Sequence, residues 1–238
     1  MNLIAQLRDV LSETVVLTGP DIPARNRTDA AAEATVEPLA LLLPRSTDDV
    51  AVALALCNAT GQTVVPQGGM TGLVDASRPA AGEIAISMER MTGIEEVDPV
   101  SGTITALAGT PLEVIQKAAE AAGMMVGIDL GARGSCTIGG NVATNAGGNS
   151  VLRFGMTRAN IRGLEAVLAD GRVVKSNSKM IKNNTGYDWT QLLIGSEGTL
   201  GIVTRVTLAL HPRPTAISTA LAKVSDTAAA LALLRDLG

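Results

Sequence analysis

The sequence predicts an α+β fold in two subdomains, and three observations carry that prediction. A strand, helix, strand succession occupies residues 39–65, a long alternating apolar run lies within Gly195 to Leu210, and three turns dense in glycine each adjoin regular structure. The first is a small α/β unit. The second is a strand long enough to need a broad sheet around it. We therefore expect a smaller N-terminal α/β subdomain and a larger mixed-sheet subdomain, meeting near residues 98–110.

Leu3, Ile4, Leu7, Val10 and Leu11 recur at helical spacing and predict a short N-terminal helix. Thr14 to Leu17 reads as a brief strand ended by Gly19-Pro20, and Asp21 to Glu37 as a polar, irregular connection holding Arg25, Arg27 and Asp29. Arg27 and Asp29 could brace a ligand site there or simply lie on the surface. Leu39 to Leu43 is apolar throughout and suits an inner strand. Ser46 with Asp49 forms a capping box for an Ala-rich helix with Val50, Leu54 and Cys57 on its inner face, closed by Gly61. Thr63 to Val65 is the next strand, so the turn Pro66 to Gly72 falls at a carboxyl strand end, where α/β folds place ligands.

Ile84, Ile86 and Met88 alternate with Ala85 and Ser87. Ile94 to Val97 and Thr103 to Ala108 flank a hairpin turn at Asp98 to Gly102. Pro111 suits the first turn of a helix carrying Leu112, Ile115, Ala119 and Ala122, which Gly123 ends. Met125 to Ile128 leads into the glycine-rich stretch Gly131 to Gly148. Leu164 to Ala169 and Val173 to Val174 form a hairpin about Asp170-Gly171. Ala216 to Val224 is expected to be a strand, with an Ala/Leu helix from Asp226.

Composition excludes several functions. Phe154, Tyr187 and Trp189 are the only aromatic residues, so the core is aliphatic and no base-stacking platform for single-stranded nucleic acid exists. A net charge of −4 argues against DNA or RNA as partner. The lone His211 cannot supply a multi-histidine metal site, and Cys57 and Cys136 have neither cluster nor disulfide spacing, so no metal site is expected. The N-terminus lacks the pattern of a signal peptide, and no apolar run reaches the roughly 18 residues of a spanning segment. A cytoplasmic protein is the expectation, with peripheral membrane contact open.

Chemistry concentrates in the glycine turns Pro66 to Gly72, Gly131 to Gly148 and Gly195 to Gly201. Glycine admits close approach of another group to the main chain, and successive N–H groups in such turns make concavities for phosphate oxygens. Asn141, Asn145 and Asn149, four apart, would share one face of a helix. Three such turns suggest one extended ligand. Neither GxGxxG nor GxxxxGK occurs, which removes the usual dinucleotide and P-loop devices, and no GxSxG elbow is present.

The segments VVPQGGMTGL (64–73), IDLGARGSCTIGGNVATNAGG (128–148), RFGMTRANIRGLEAVLADG (153–171) and LLIGSEGTLGIVTRVTL (192–208) resemble the FAD-binding domain of vanillyl-alcohol oxidase type flavoproteins, also called PCMH-type. The likeness is greatest to the branch holding glycolate oxidase flavin subunits, D-lactate dehydrogenases and D-2-hydroxyglutarate dehydrogenases. It covers roughly residues 35–212. The resemblance implies a FAD-binding domain over 35–213, with subdomains at about 35–105 and 106–213, after an N-terminal helix and connection at 1–34. Residues 214–238 would begin a C-terminal cap domain that is incomplete in this sequence.

By the same resemblance, Pro66, Gln67, Gly68, Gly69, Met70, Thr71 and Gly72 hold the FAD pyrophosphate. Ser135, Ile138, Gly139, Gly140, Asn141, Thr144 and Asn145 extend the cradle toward the flavin, and Glu197, Gly198 and Ile202 lie near the adenosine half. The side chains of Ile138 and Ile202 read equally well as core. The first loop has no histidine and Cys136 matches no attachment motif, so the FAD would be non-covalent. The implied reaction removes the hydroxyl proton of a small D-2-hydroxy acid and transfers its α-hydrogen as hydride to flavin N5, after which an electron acceptor or partner subunit reoxidises the cofactor. Catalytic base and metal ligands belong to the cap in this branch and cannot be named here. A non-catalytic FAD-binding subunit, or a remnant, is the alternative.

Overall fold

The computed structural model describes every residue except Met1, Asp29, Ala32, Glu33, Asn177, Ser178 and Gly238. Helix α1 (Leu3–Leu11) starts where the Asn2 side chain accepts from Ile4 N, and buries Leu7. Strand β1 (Val16–Leu17) is antiparallel to β2 (Ala40–Leu42). Helix α2 (Thr47–Ala59) follows, and its capping box is present: Ser46 Oγ accepts from Asp49 N at 3.1 Å, and the Asp49 carboxylate accepts from Arg45 N at 2.8 Å. Strands β3 (Val64–Gln67) and β4 (Ile84–Ser87) complete a four-stranded sheet of order β1-β2-β4-β3.

Strands β2, β4 and β3 are parallel, so β4 is interior and all four of its residues are buried. Alternation in the sequence suggests one covered face; the flanking parallel neighbours and the packed layers cover both. Each fully buried Ile or Leu here contributes roughly 1.5–3 kcal/mol.

The larger sheet is built from β5 (Ile94–Asp98), β6 (Thr103–Leu107), β8 (Ile161–Val167), β9 (Val173–Ser176) and β10 (Ile202–Pro212), in the order β5-β6-β10-β8-β9, with β7 (Met124–Val126) paired to the far end of β10. The two expected subdomains of the α+β fold are thus visible as two sheets. Every pairing in the larger one is antiparallel, and the mixed sheet is the smaller. Hairpins join β5 to β6 and β8 to β9. In the first, Asp98 accepts from Val100 N and Ser101 N, with Lys179 beside it at 3.0 Å. These bonds, the Ser101 ones foremost, hold the Asp98 carboxyl below the usual carboxylate range.

Helix α3 (Leu112–Ala121) has Pro111 as its N-cap, one position earlier than the sequence indicates, because Pro111 keeps an extended ψ of 141° and bridges Thr137. Short helical turns α4 (Ile138–Ala143), α5 (Val151–Phe154), α6 (Thr157–Asn160) and α7 (Thr190–Leu193) punctuate the rest. Helix α8 (Thr227–Leu237) forms as expected and begins where Asp226 accepts from Ala229 N. The strand expected at Ala216 to Val224 does not form: those residues are exposed and pair with nothing among the described residues, and β-propensity without a neighbouring strand does not make one.

The two sheets are joined at one buried charge. Glu165 on β8 accepts from Thr47 Oγ1 of α2 at 2.7 Å and from Thr204 Oγ1 of β10 at 2.9 Å, and pairs with Arg205 at 2.6 Å. Arg205 is also bound by Glu95 of β5. The N-terminus of α2 is thereby fastened to three strands of the larger sheet.

Candidate functional site

The three glycine turns converge. The first leaves the carboxyl end of β3, and the second carries the chain from β7 through α4. They meet so closely that an added Cβ on Gly69 would overlap Ser135 O, with Cys136 Cα at 2.8 Å, and one on Gly68 would stand 2.7 Å from Thr137 Oγ1. The third turn packs behind both. Gly195 N donates to Val142 O at 3.0 Å, Glu197 N donates to Ala143 O at 2.8 Å, and Gly198, at φ 79°, lies against the Pro66 ring. Each turn also contains one non-glycine residue at positive φ: Met70 at 53°, Asn145 at 48° and Glu197 at 51°. Such geometry persists only where the surroundings enforce it.

Side chains hold these turns in place. Gln67 is fully buried; its carboxamide accepts from Asn26 Nδ2 at 2.9 Å and donates to Asn26 O at 3.0 Å and Ser77 O at 2.9 Å. It staples the first turn to the 24–27 segment, and no periodicity in the sequence marks Asn26 for that role. Arg158 on α6 donates to Gln191 O at 2.7 Å and to Ile194 O, while its own N–H donates to Asn145 Oδ1 at 2.9 Å. It ties the second turn to the entry of the third.

A cleft of about 570 Å³ opens where the first two turns meet, lined among others by Gly68, Gly69, Met70, Ser135, Arg25, Glu89 and Gly109. None of the N–H groups of Gly68 to Gly72, nor that of Gly140, is bonded to an acceptor among the described residues. Thr137 is the N-cap of α4, yet its hydroxyl makes no capping bond and is buried without a partner. The Asn141 amide nitrogen is likewise buried and unpartnered. Buried polar groups in folded proteins nearly always find partners, so orphaned ones beside a cleft point to a ligand. A row of N–H donors with one hydroxyl and one amide suits a diphosphate, which presents acceptors only.

Not every residue singled out in the sequence reaches this cleft. Gly139 packs on Ala108, Thr144 Oγ1 donates to Gly140 O at 2.9 Å, and the side chains of Ile138 and Ile202 are in the core. Glu197, Gly198 and Thr71 flank the turns without lining it. The expected asparagine face is not formed: α4 stops at Ala143, so Asn141 alone is helical, while Asn145 has positive φ and Asn149 lies beyond. Arg27 donates to Gly19 O and Ile22 O and pairs with Glu37, bracing its own connection; Asp29 lies outside the described residues. Glu89, Thr92 and Gly109 line the cleft without any motif that announces them, and Gly134 and Thr137 line it from within the second glycine stretch, where the sequence does not single them out.

His211 is far from the turns in role. It bonds Asn160 Oδ1 at 3.1 Å and packs on Phe154 with ring centroids 4.5 Å apart; burial, with Arg162 and Arg153 nearby, lowers its pKa. The two cysteines are buried and free, Cys57 with its thiol pushed up to about 11 by burial and Cys136 raised chiefly for the same reason. Both stay protonated at neutral pH, and Cys136 offers no thiolate for covalent attachment of a ligand. A disulfide-exchange reagent at pH 8 is expected to titrate neither thiol quickly in the folded chain and both after unfolding; fast modification of Cys136 in the native protein would contradict this burial. Among the described residues there is no cluster of His, Cys, Asp or Glu able to hold a metal ion, and no helix long and apolar enough to cross a membrane.

Comparison with known proteins places these features in context. The family model described as an FAD binding domain matches residues 38–177. The mitochondrial D-2-hydroxyglutarate dehydrogenase of Bos taurus is 47% identical over 180 residues, covering 76% of this chain and 33% of the relative. The D-2-hydroxyglutarate dehydrogenase of Xanthomonas citri is 45% identical over 180 residues, 76% of this chain and 38% of the relative. A D-2-hydroxyglutarate–pyruvate transhydrogenase of Saccharomyces cerevisiae is 38% identical over 217 residues, 90% of this chain and 44% of its own. A solved alkyldihydroxyacetonephosphate synthase superposes with TM-score 0.79 at 21% identity, over 90% of this chain and 41% of that one, a likeness of fold. The chain spans between a third and a half of the length of these proteins.

Proposed function

Because the chain belongs to the FAD binding domain family, we propose that it is the cofactor-holding part of a FAD-dependent oxidoreductase acting on a small D-2-hydroxy acid. The observation that carries this reading is the set of unbonded N–H groups from Gly68 to Gly72, beside the orphaned Thr137 hydroxyl at a cleft where two glycine turns meet. In this reading the first turn holds the pyrophosphate by its main chain. Gln67 contributes by fixing the turn, and Pro66 by seating it against Gly198. Ser135 lines the cradle, Gly140 and Asn141 offer an N–H and an amide beside it, Gly139 and Thr144 hold the second turn from behind, and Asn145 and Glu197 set the course of the adjoining turns. Met70 and Thr71 shape the rim, and Ile138 and Ile202 anchor the wall from within the core.

FAD supplies acceptance of hydride from the substrate carbon. This chain's residues bind the cofactor, exclude water from the diphosphate and keep the cradle rigid; the substrate is D-2-hydroxyglutarate or a shorter 2-hydroxy acid such as D-lactate or glycolate. Residues 214–238 are read as the start of a further domain, which supplies the substrate side of the site. Their exposure, with no buried residue and only Ala229 and Ala230 half-buried among the described residues, supports that assignment. An electron acceptor or partner subunit completes the turnover.

The test is a visible spectrum of the purified chain reconstituted with FAD, followed by anaerobic addition of D-2-hydroxyglutarate, D-lactate or glycolate. Bound flavin bands that bleach with one of these acids are expected. Flavin that binds but never bleaches would leave the chain a cofactor-binding module, and absence of binding in excess FAD would overturn the reading altogether.

A further inference from the structure

We propose that Glu89 is the residue by which this chain selects a dinucleotide over a mononucleotide flavin, by accepting hydrogen bonds from the ribose hydroxyls of the adenosine half. This rests on the FAD reading above. Glu89 follows β4, at the carboxyl end of the central parallel strand, and shares the cleft with Gly68 and Gly69. Its Oε2 is buried and accepts no hydrogen bond, while Arg25 Nη1 stands 3.6 Å away, at ion-pair distance and beyond a hydrogen bond.

A buried carboxylate oxygen without a donor is costly unless something completes it. The diphosphate cannot, since it brings acceptors and negative charge. Flavin and adenine rings present few donors to a carboxylate; hydroxyl donors come from the ribityl chain, which FMN shares, and from the adenosine ribose, whose two adjacent hydroxyls are the group that acidic residues recognise in other dinucleotide sites. The position fits. Glu89 lines the same cleft as Gly68, Gly69 and Thr137, and like charge would keep its carboxylate from sharing a subsite with the diphosphate itself. Arg25, with more than half of its side chain exposed, balances the charge of Glu89 at the cleft mouth without consuming the buried oxygen.

Flavin fluorescence measured on the whole chain tests this. On the wild type, ADP is expected to compete with FAD about tenfold better than 2′,3′-dideoxy-ADP does. Glu89→Ala should weaken FAD about tenfold, leave FMN unchanged within twofold, and make the two ADP analogues equal. Glu89→Gln, which keeps one acceptor oxygen, should fall between. Far-UV circular dichroism and the melting temperature of each apo variant guard against misfolding. Equal competition by the two analogues on the wild type overturns the proposal, as does a Glu89→Ala chain that loses FAD and FMN alike. Failure of the wild type to bind FAD at all would instead overturn the functional reading beneath it.

Discussion

Gly69→Ala is expected to weaken FAD binding by about 100-fold and to lower the melting temperature of the apo chain. The Cβ would be driven into Ser135 O, with Cys136 Cα at 2.8 Å. Both obstacles are main chain, held in turn by Cys136 N donating to Ala132 O at 2.7 Å and Leu112 N donating to Cys136 O at 3.1 Å. Neither can rotate away as a side chain would. The two turns must separate, which for overpacking costs about 1–3 kcal/mol. Separation also moves the Gly68 to Gly72 donors from the Thr137 hydroxyl, and N–H bonds to a phosphate weaken steeply beyond about 3.2 Å. Gly72→Ala is the matching control, because a Cβ there meets nothing within 4 Å. It should bind FAD within a fewfold of wild type. Titration of FAD into both variants decides the matter: equal affinities would show that contact between the turns is irrelevant to the cradle.

Glu165→Ala should cost about 3 kcal/mol, near the lower end for breaking a buried ion pair, because Arg205 keeps Glu95 as a second partner. Thr47 loses its acceptor and Thr204 is left with only the longer bond to the Glu165 main-chain oxygen at 3.4 Å. For a chain of this size that corresponds to a fall of roughly 6–12 °C in melting temperature. Glu165→Gln retains an oxygen for the two threonines and should lose less. Thermal melts of the three proteins measure both effects. A loss below about 1 kcal/mol in the alanine variant would mean that the junction between α2 and the larger sheet is held by apolar packing alone.

Much of the architecture was legible because its causes are local. The Ser46 and Asp49 box, the apolar run before Pro44 and the hairpin at Asp98 to Gly102 each declare themselves within a few residues, and each is found. So does the long strand after Gly201, whose alternation understates its burial because a central strand is covered on both faces. What the sequence hid depends on distant partners. Gln67 sits in the motif most suggestive of ligand contact, yet its side chain serves Asn26, 41 positions earlier. Glu89 and Arg25 pair in the cleft lining with no shared motif. In the other direction, Ala216 to Val224 has strand composition and no strand to join, so pattern alone misleads. The convergence of the three turns was inferable from their number and chemistry; which atoms face the cleft was not, because that is set by the packing of α4 on Ala108 and of Gly198 on Pro66.

Strand β10 occupies the middle of the larger sheet, with β6 and β8 along its flanks and β7 at its end, yet among the described residues it comes after every other strand of that sheet in sequence. During synthesis on a ribosome, the earlier members of that sheet emerge as separate hairpins with no common spine, and the turn that seats Pro66 emerges just ahead of β10. Long-range closure of this kind is slow and exposes unpaired edges meanwhile. The yellow holoprotein is therefore a late product of biosynthesis, and its yield depends on how well a nascent, edge-exposed chain is shielded until residue 212 is free of the tunnel.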